Sequence, residues 1–203
     1  MTYPLRNMLL PPHILPHFGQ MKAVFDNEEI ERIQFFKKIL DFSPGGLHQL
    51  FDSDEEKTVD DYRVVEAATM NIDQNTEWLW SKISDLSAQA NYDLFLYDVE
   101  YLETLQYLIY EGNGKSKYDW HTDRTIAGYR KYDRKISGIL MLSDPSEYEG
   151  GRFLIDRSNE PETVELEKGD VLFFDSTFRH CVEPVTKGQR EVIVFWVHGQ
   201  NKI

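Results

Sequence analysis

Three side chains in this sequence have the types and spacing to hold one metal ion. Two of them lie in His121-Thr122-Asp123. On an extended strand, residues i and i+2 point to the same face, so an imidazole and a carboxylate can meet one ion there without special backbone. Two histidines and one carboxylate on one face of an ion, with the opposite face open, suit iron(II) and oxygen chemistry. His121-x-Asp123 supplies two of the three. Alone the pair says little, because chance supplies such a pair in a chain with 6 histidines and 35 acidic residues.

The third candidate is His180, at the start of an apolar run, Phe178-Arg179-His180-Cys181-Val182-Glu183-Pro184-Val185. Arg190 follows ten residues later, after a Thr186-Lys187-Gly188-Gln189 turn signal. An arginine fork can grip the distal carboxylate of a molecule whose other end sits on the metal. Read singly, His180 is a satisfied core histidine and Arg190 a surface ion-pair partner; the combination points to chemistry. For both to face one interior, a hairpin joining their strands needs an odd loop, such as Lys187-Gly188-Gln189, or a compensating bulge. A left-handed residue is then expected at Gly188 or Gln189. The remaining histidines carry no comparable signal. His13, His17 and His48 sit among prolines or in loop-like sequence, and His198 has no acidic neighbour at close spacing.

The elements that must position these groups follow from periodicity. Asp26 and Glu29 form a capping box ahead of Ile30, Ile33, Phe36, Ile39 and Leu40, and Pro44-Gly45-Gly46 ends that helix. A second helix starts after Asn75, with Trp78, Leu79, Ile83 and Leu86 as its apolar stripe. Beyond residue 92 the period shortens. Strands are expected at Leu94–Val99, Leu102–Tyr110, Ile136–Leu142, Arg152–Ile155, Val171–Phe174, His180–Val185 and Arg190–Val197, with Gly, Asn, Asp and Pro turns between them. Many short strands with regular turns imply a sandwich or barrel. The acidic run Asp52 to Asp61 reads as a solvated loop. The expected organisation is one domain over 1–203, with 1–92 mainly helical support and 93–203 the β-core.

The motif set His121-x-Asp123, His180 and Arg190 resembles the iron(II)/2-oxoglutarate-dependent dioxygenase superfamily, and more closely its prolyl-4-hydroxylase-like and PKHD-type hydroxylase branch. The likeness extends over Gln106 to Gly114, Leu140 to Ser143, Tyr148 to Gly151, Gly169 to Phe174, Val185 to Arg190 and Phe195-Trp196, covering about residues 102 to 198. The resemblance implies a mostly β fold with N-terminal helices and a double-stranded β-helix (jelly roll) core. It implies iron(II), 2-oxoglutarate and dioxygen as cofactor and cosubstrates, with ascorbate as the candidate accessory reductant. It implies hydroxylation of a C–H bond with release of succinate and carbon dioxide, a prolyl residue in a peptide or protein being the favoured substrate. By position, Tyr110 matches a tyrosine that bonds the cosubstrate, and Ile139, Phe153, Val182 and Trp196 match positions lining its cavity. Met141 stands where some relatives carry a tyrosine that assists the arginine, so the distal carboxylate rests on Arg190 or on another polar group.

Composition narrows the partners. A net charge of −13 disfavours nucleic acid and anionic membrane. The lone Cys181 cannot form an internal disulfide, the proline-broken N-terminus does not read as a signal peptide, and no apolar run has membrane-span length. A cytoplasmic protein is therefore expected; nothing in the sequence addresses its oligomeric state. Arg124, Tyr129, Arg130 and Tyr132 are candidate substrate contacts or loop-solvating groups. A free amino acid or other small molecule is the alternative substrate. A non-catalytic metal-binding jelly roll has no need of Arg190, and a zinc hydrolase needs a general base that the sequence does not offer.

Overall fold

A computed structural model describes residues 18–45, 62–124, 132–156 and 160–200. The alternation of apolar residues along the strands sorts them onto two faces, and that sorting builds the molecule. Strand β5 (Tyr101–Glu111) turns Leu105, Tyr107 and Ile109 to one side and Leu108 and Tyr110 to the other. Strands β7 (Tyr132–Met141), β11 (Val171–Asp175) and β13 (Val185–Gln200) do the same. Leu140, Phe173, Ile193 and Phe195 join the first side, and Ile139, Leu172, Phe174 and Val192 the second. These four strands run in the order β11-β7-β13-β5. A facing sheet has the order β10-β9-β12-β6, from β6 (Lys117–His121), β9 (Phe153–Asp156), β10 (Pro161–Val164) and β12 (Arg179–Val182). The chain passes repeatedly from one sheet to the other, the winding of an eight-stranded jelly roll.

Two helices cover the outer face of the larger sheet. Helix α1 (Asn27–Phe35) begins with the expected capping box: the Glu29 amide donates to Asp26 Oδ1 at 2.9 Å, and the Asp26 amide to Glu29 Oε2 at 3.0 Å. Helix α2 spans Glu77–Ala90. Ile30, Ile33, Leu79 and Ile83 are fully buried against Leu105, Tyr107 and Phe195. Each such burial is worth about 1.5–3 kcal/mol, so this layer fixes the sheet that carries Arg190 and Trp196.

Four further strands precede the jelly roll: β1 (Phe18–Met21), β2 (Ser43–Pro44), β3 (Arg63–Val64) and β4 (Glu66–Met70). β1 extends the larger sheet beside β11, β4 and β2 extend it beside β5, and β3 pairs with β6 in the smaller sheet. The N-terminal part is therefore not only helical support; it blunts three sheet edges that would otherwise be open to pairing. The α1 stripe stops early: Ile39 is 68% exposed after a short 3-10 turn over Phe36–Lys38.

Two expectations are corrected. Leu94–Val99 is not a strand. Asn91–Phe95 continues α2 as a π-turn, Leu96 takes a left-handed conformation (φ 56°), and the Asn91 side chain bonds both the amide and the carbonyl of Tyr97. These local bonds satisfy the backbone without a partner strand. The His180 and Arg190 strands do not form a hairpin either. β12 lies between β6 and β9 in the smaller sheet, whereas β13 pairs with β5 and β7 in the larger one. The chain changes sheets at Glu183-Pro184, and residues 187–189 continue β13. Gly188 is left-handed as expected (φ 70°), but because a side chain there would lie 2.0 Å from the Glu147 carbonyl as β13 passes β8 (Tyr148–Gly150). The segments 1–17, 46–61, 125–131, 157–159 and 201–203, with His13, His17, His48, the acidic run, Tyr129 and Arg130, lie outside the described residues.

Candidate metal and cosubstrate site

β6 and β12 are neighbours, and their register sets His121 opposite His180. The ring centroids are 4.1 Å apart. Asp123 lies in the bend just past β6, where the Ser176 carbonyl accepts its amide hydrogen at 3.1 Å. That bend turns the carboxylate back between the histidines: His121 Nε2 is 3.7 Å from Asp123 Oδ1, and His180 Nε2 is 3.6 Å from Oδ2. Ligand atoms of all three residues lie within 4.8 Å of one another. The structure brings together the three residues picked from the sequence.

The surrounding bonds leave these atoms free for a metal. His121 Nδ1 is 2.7 Å from the Asp119 carbonyl and His180 Nδ1 is 3.0 Å from the Phe178 carbonyl. A carbonyl can only accept, so each Nδ1 carries the proton and each Nε2 presents a lone pair to the centre. The Ser137 hydroxyl, on β7, donates to Asp123 Oδ2 at 2.6 Å and also meets the Ser176 hydroxyl at 2.8 Å. Burial and the adjacent His180 ring push the His121 pKa down to about 3, so it stays neutral. Burial alone would raise Asp123, but His180, His121 and the Ser137 donor outweigh it and hold its pKa at about 2. An ionised Asp123 carboxylate and a neutral His121 imidazole are protonation states that suit a divalent ion.

A pocket opens from these ligands between the sheets. Tyr110, Ile139, Phe153, Val182 and Trp196, all named from the sequence, line it together with the triad. Trp196 pairs directly with Ser137, which places the indole beside the group that bonds Asp123. Arg190 pairs with Tyr110 across β13 and β5, and its guanidinium lies 5.4 Å from the Tyr110 ring centroid. Arg190 and Tyr110 are both 2% exposed. Among the described residues no carboxylate reaches Arg190, and no group bonds the Tyr110 hydroxyl. Burial raises the Tyr110 pKa, keeping its proton available for donation. A buried cation and a buried donor without protein partners are costly unless a ligand completes them. An acidic cosubstrate with one end on the metal fits that description. Met141 is fully buried on β7 and offers no hydroxyl.

Sequence reasoning missed several lining groups. Tyr118 stacks on His121, centroids 3.5 Å apart, and Arg63 from β3 lies 4.7 Å above the Tyr118 ring. Strict alternation along β6 would put Tyr118, three residues before His121, on the opposite face; an irregularity in the β6–β12 register brings it to the site. Arg63 could not be found either, because it comes from an edge strand far away in sequence. His198 does meet an acid: its Nε2 is 2.6 Å from Glu103, which also takes a two-pronged bond from Arg134, and Arg134 lies 3.8 Å over Trp196. Strand pairing, not sequence spacing, creates that contact. Arg124 forms an ion pair with Asp133 at 2.7 Å. Cys181 points away from the triad, and burial pushes its thiol up to about 11.

Comparison with known proteins matches residues 105–198 to the family model of the 2OG-Fe(II) oxygenase superfamily. A PKHD-type hydroxylase of Crocosphaera subtropica is 36% identical over 101 residues, which is 49% of this chain and 45% of that protein. One from Saccharophagus degradans is 42% identical over 64 residues, 32% of this chain and 28% of the relative. The matches thus span less than half the length of these curated relatives. In fold, a Pseudomonas putida prolyl-4-hydroxylase superposes with a TM-score of 0.67 at 16% identity, covering 91% of this chain and 94% of that one. A Trichoplax adhaerens prolyl hydroxylase, in complex with a hypoxia inducible factor oxygen degradation domain peptide fragment, gives 0.70 at 18%, covering 89% and 83%. No helix among the described residues is long and apolar enough to cross a membrane.

Proposed function

We propose that this chain, whose residues 105–198 match the 2OG-Fe(II) oxygenase superfamily, is an iron(II)- and 2-oxoglutarate-dependent oxygenase that hydroxylates a prolyl residue in a peptide or protein. The carrying observation is the pairing of a preformed His121–Asp123–His180 cluster with a buried Arg190 that no described carboxylate neutralises. His121 Nε2, His180 Nε2 and an Asp123 oxygen would hold the iron. Iron(II) with 2-oxoglutarate and dioxygen supplies the oxidising chemistry, exchanging a C–H hydrogen for hydroxyl and releasing succinate and carbon dioxide.

The protein's share is binding, orientation and dryness. The Asp119 and Phe178 carbonyls lock both imidazole tautomers, and Ser137 aims the carboxylate. Arg190 would grip the distal carboxylate of 2-oxoglutarate and Tyr110 would donate to it, so the cosubstrate is held at both ends. Ile139, Phe153, Val182 and Trp196 would keep water from its carbon chain. The prolyl and peptide assignment rests on likeness to the prolyl hydroxylases, one of them in complex with a peptide fragment. The test is a panel of proline-containing peptides and free amino acids incubated with iron(II) and 2-oxoglutarate. Succinate release together with the mass of one oxygen atom on a peptide proline is expected. Hydroxylation confined to free amino acids or other small molecules overturns the prolyl-peptide reading.

A further inference from the structure

Among the described residues that line the triad pocket, Arg63 on β3 is the only arginine or lysine. Its strand is held on both sides of it. The Tyr62 hydroxyl donates to the Trp120 carbonyl at 2.8 Å, and the Val65 carbonyl accepts the Gly45 amide at 2.7 Å. Arg63 itself pairs with Tyr118 across β3 and β6. The guanidinium carbon lies 4.7 Å from the Tyr118 ring centroid, and that ring stacks on His121 at 3.5 Å, so one aromatic ring separates the cation from a metal-ligand candidate. Arg63 also lines a groove of about 950 Å³ whose wall includes the exposed Pro44, Glu66 and Lys115. No triad residue lines that groove, so Arg63 stands where it meets the triad pocket. Arg63 is half-buried, whereas Arg190 is 2% exposed. The deeper arginine suits a cosubstrate that must be kept dry, and the shallower one suits a substrate arriving along the groove. Arg63, Lys115 and Lys117 face Glu66 and Glu111 there, a small positive excess in a chain of net charge −13. At physiological salt, charges more than about 8 Å away are largely screened, so this local excess decides what binds.

We infer that this groove seats the substrate peptide and that Arg63 determines specificity there, selecting an acidic side chain close to the hydroxylated residue. The inference rests on the proposed function, since it places a peptide proline at the metal cluster. An extended segment rises about 3.3 Å per residue, so an acid that meets Arg63 lies within about three residues of that proline. The guanidinium fork takes a carboxylate through two N–H···O bonds along its edge. Contact with the Tyr118 ring uses its face, so the two interactions are compatible. The backbone bonds that hold β3 beside β6 fix the fork before the peptide arrives, which lowers the cost of ordering it on binding.

The experiment measures binding of short fluorescent alanine–glycine peptides with one central proline to the full chain loaded with manganese(II) and 2-oxoglutarate. Each peptide carries Asp, Asn or Lys at one of the three positions on either side of the proline, and hydroxylation of the same set with iron(II) is read by mass. At one position or more, Asp is expected to bind about tenfold tighter than Asn, the low end for a hydrogen bond to a charged group, with Lys weakest. Arg63→Gln is expected to erase that preference and Arg63→Glu to turn it toward Lys, while 2-oxoglutarate affinity, read by calorimetry, stays at the wild-type value. An Asp preference that survives in Arg63→Gln overturns the assignment. So does a loss of 2-oxoglutarate affinity in that variant with the peptide preference intact, which would give Arg63 to the cosubstrate. Equal binding of the Asp, Asn and Lys peptides by wild type, with proline still hydroxylated, overturns the inference and leaves the proposed function in place; this comparison decides the matter if the variants do not fold. Binding and hydroxylation of no peptide overturn the prolyl-peptide reading, and this inference with it.

Discussion

Replacing Arg190 by methionine separates a ligand clamp from a structural ion pair. Methionine keeps an unbranched stem against Gly151 and removes the charge. In the free protein that charge is 2% exposed, faces Tyr110 at 5.4 Å and meets no carboxylate among the described residues. Such a cation costs folding free energy rather than supplying it, so its removal should not destabilise the ligand-free chain. Each kcal/mol is about 2–4 °C of Tm in a domain of this size. The expected Tm of metal-free Arg190→Met is therefore equal to wild type or a few degrees higher. Binding should change in the opposite sense. Losing a charge-assisted fork in a dry pocket costs about 2–5 kcal/mol, or roughly one and a half to three and a half decades in 2-oxoglutarate affinity. Thermal melts with and without metal and 2-oxoglutarate read both quantities: the cosubstrate should raise the Tm of wild type and not of the variant at equal concentration. A variant that melts well below wild type yet retains the full 2-oxoglutarate shift would refute the reasoning and make Arg190 structural.

Further outcomes follow from the same geometry. Arg190→Lys should bind 2-oxoglutarate with intermediate affinity, because lysine keeps the charge and loses the fork, as the same melts would report. Ser137→Ala removes the donor to Asp123 Oδ2 and should weaken iron binding about 10–100-fold by competition against a chelator; unchanged affinity would show that Ser137 does not support the ligand. Glu103 is pulled from about 4.5 to about 2: burial opposes its charge, but bonds from His198 and Arg134 prevail. A depressed carboxylate contributes stability above its unfolded pKa and loses it as pH falls through the folded one. The Tm gap between wild type and Glu103→Gln should therefore be full above pH 5 and shrink toward pH 2, and a gap independent of pH would contradict the ion pair. Cys181 should resist alkylation in the native protein near neutral pH and react once unfolded, because burial raises its thiol to about 11; Cys181→Ser should keep most turnover.

The candidate metal cluster was legible because its chemistry is rare in combination. His121-x-Asp123 is commonplace, but with His180 and Arg190 at family spacing it reads as a site, and the five pocket positions that followed from the resemblance all line one cavity. Helix α1 was legible to its capping box, where a local rule operates on four residues. The failures share a cause: they turn on which strands meet. A Lys187-Gly188-Gln189 turn signal looks the same whether the chain doubles back or, as here, continues along another strand. Leu94 to Val99 has strand-like composition, yet Asn91 captures the backbone of Tyr97 and leaves nothing to pair. Arg63, Tyr118 and the Glu103–His198 contact enter the site region through sheet register, which spacing along the chain does not carry.

The central claim is that His121, Asp123 and His180 hold iron(II) while Arg190 anchors 2-oxoglutarate on it. Anaerobic titration of the chain with iron(II) and then 2-oxoglutarate tests it most directly, through the weak visible charge-transfer band of the ternary complex. The account predicts a band that saturates at one iron and one 2-oxoglutarate per chain and disappears in Asp123→Ala, which removes the only anionic protein ligand of the cluster. Absence of the band in wild type, or its persistence at full intensity in Asp123→Ala, would contradict the account.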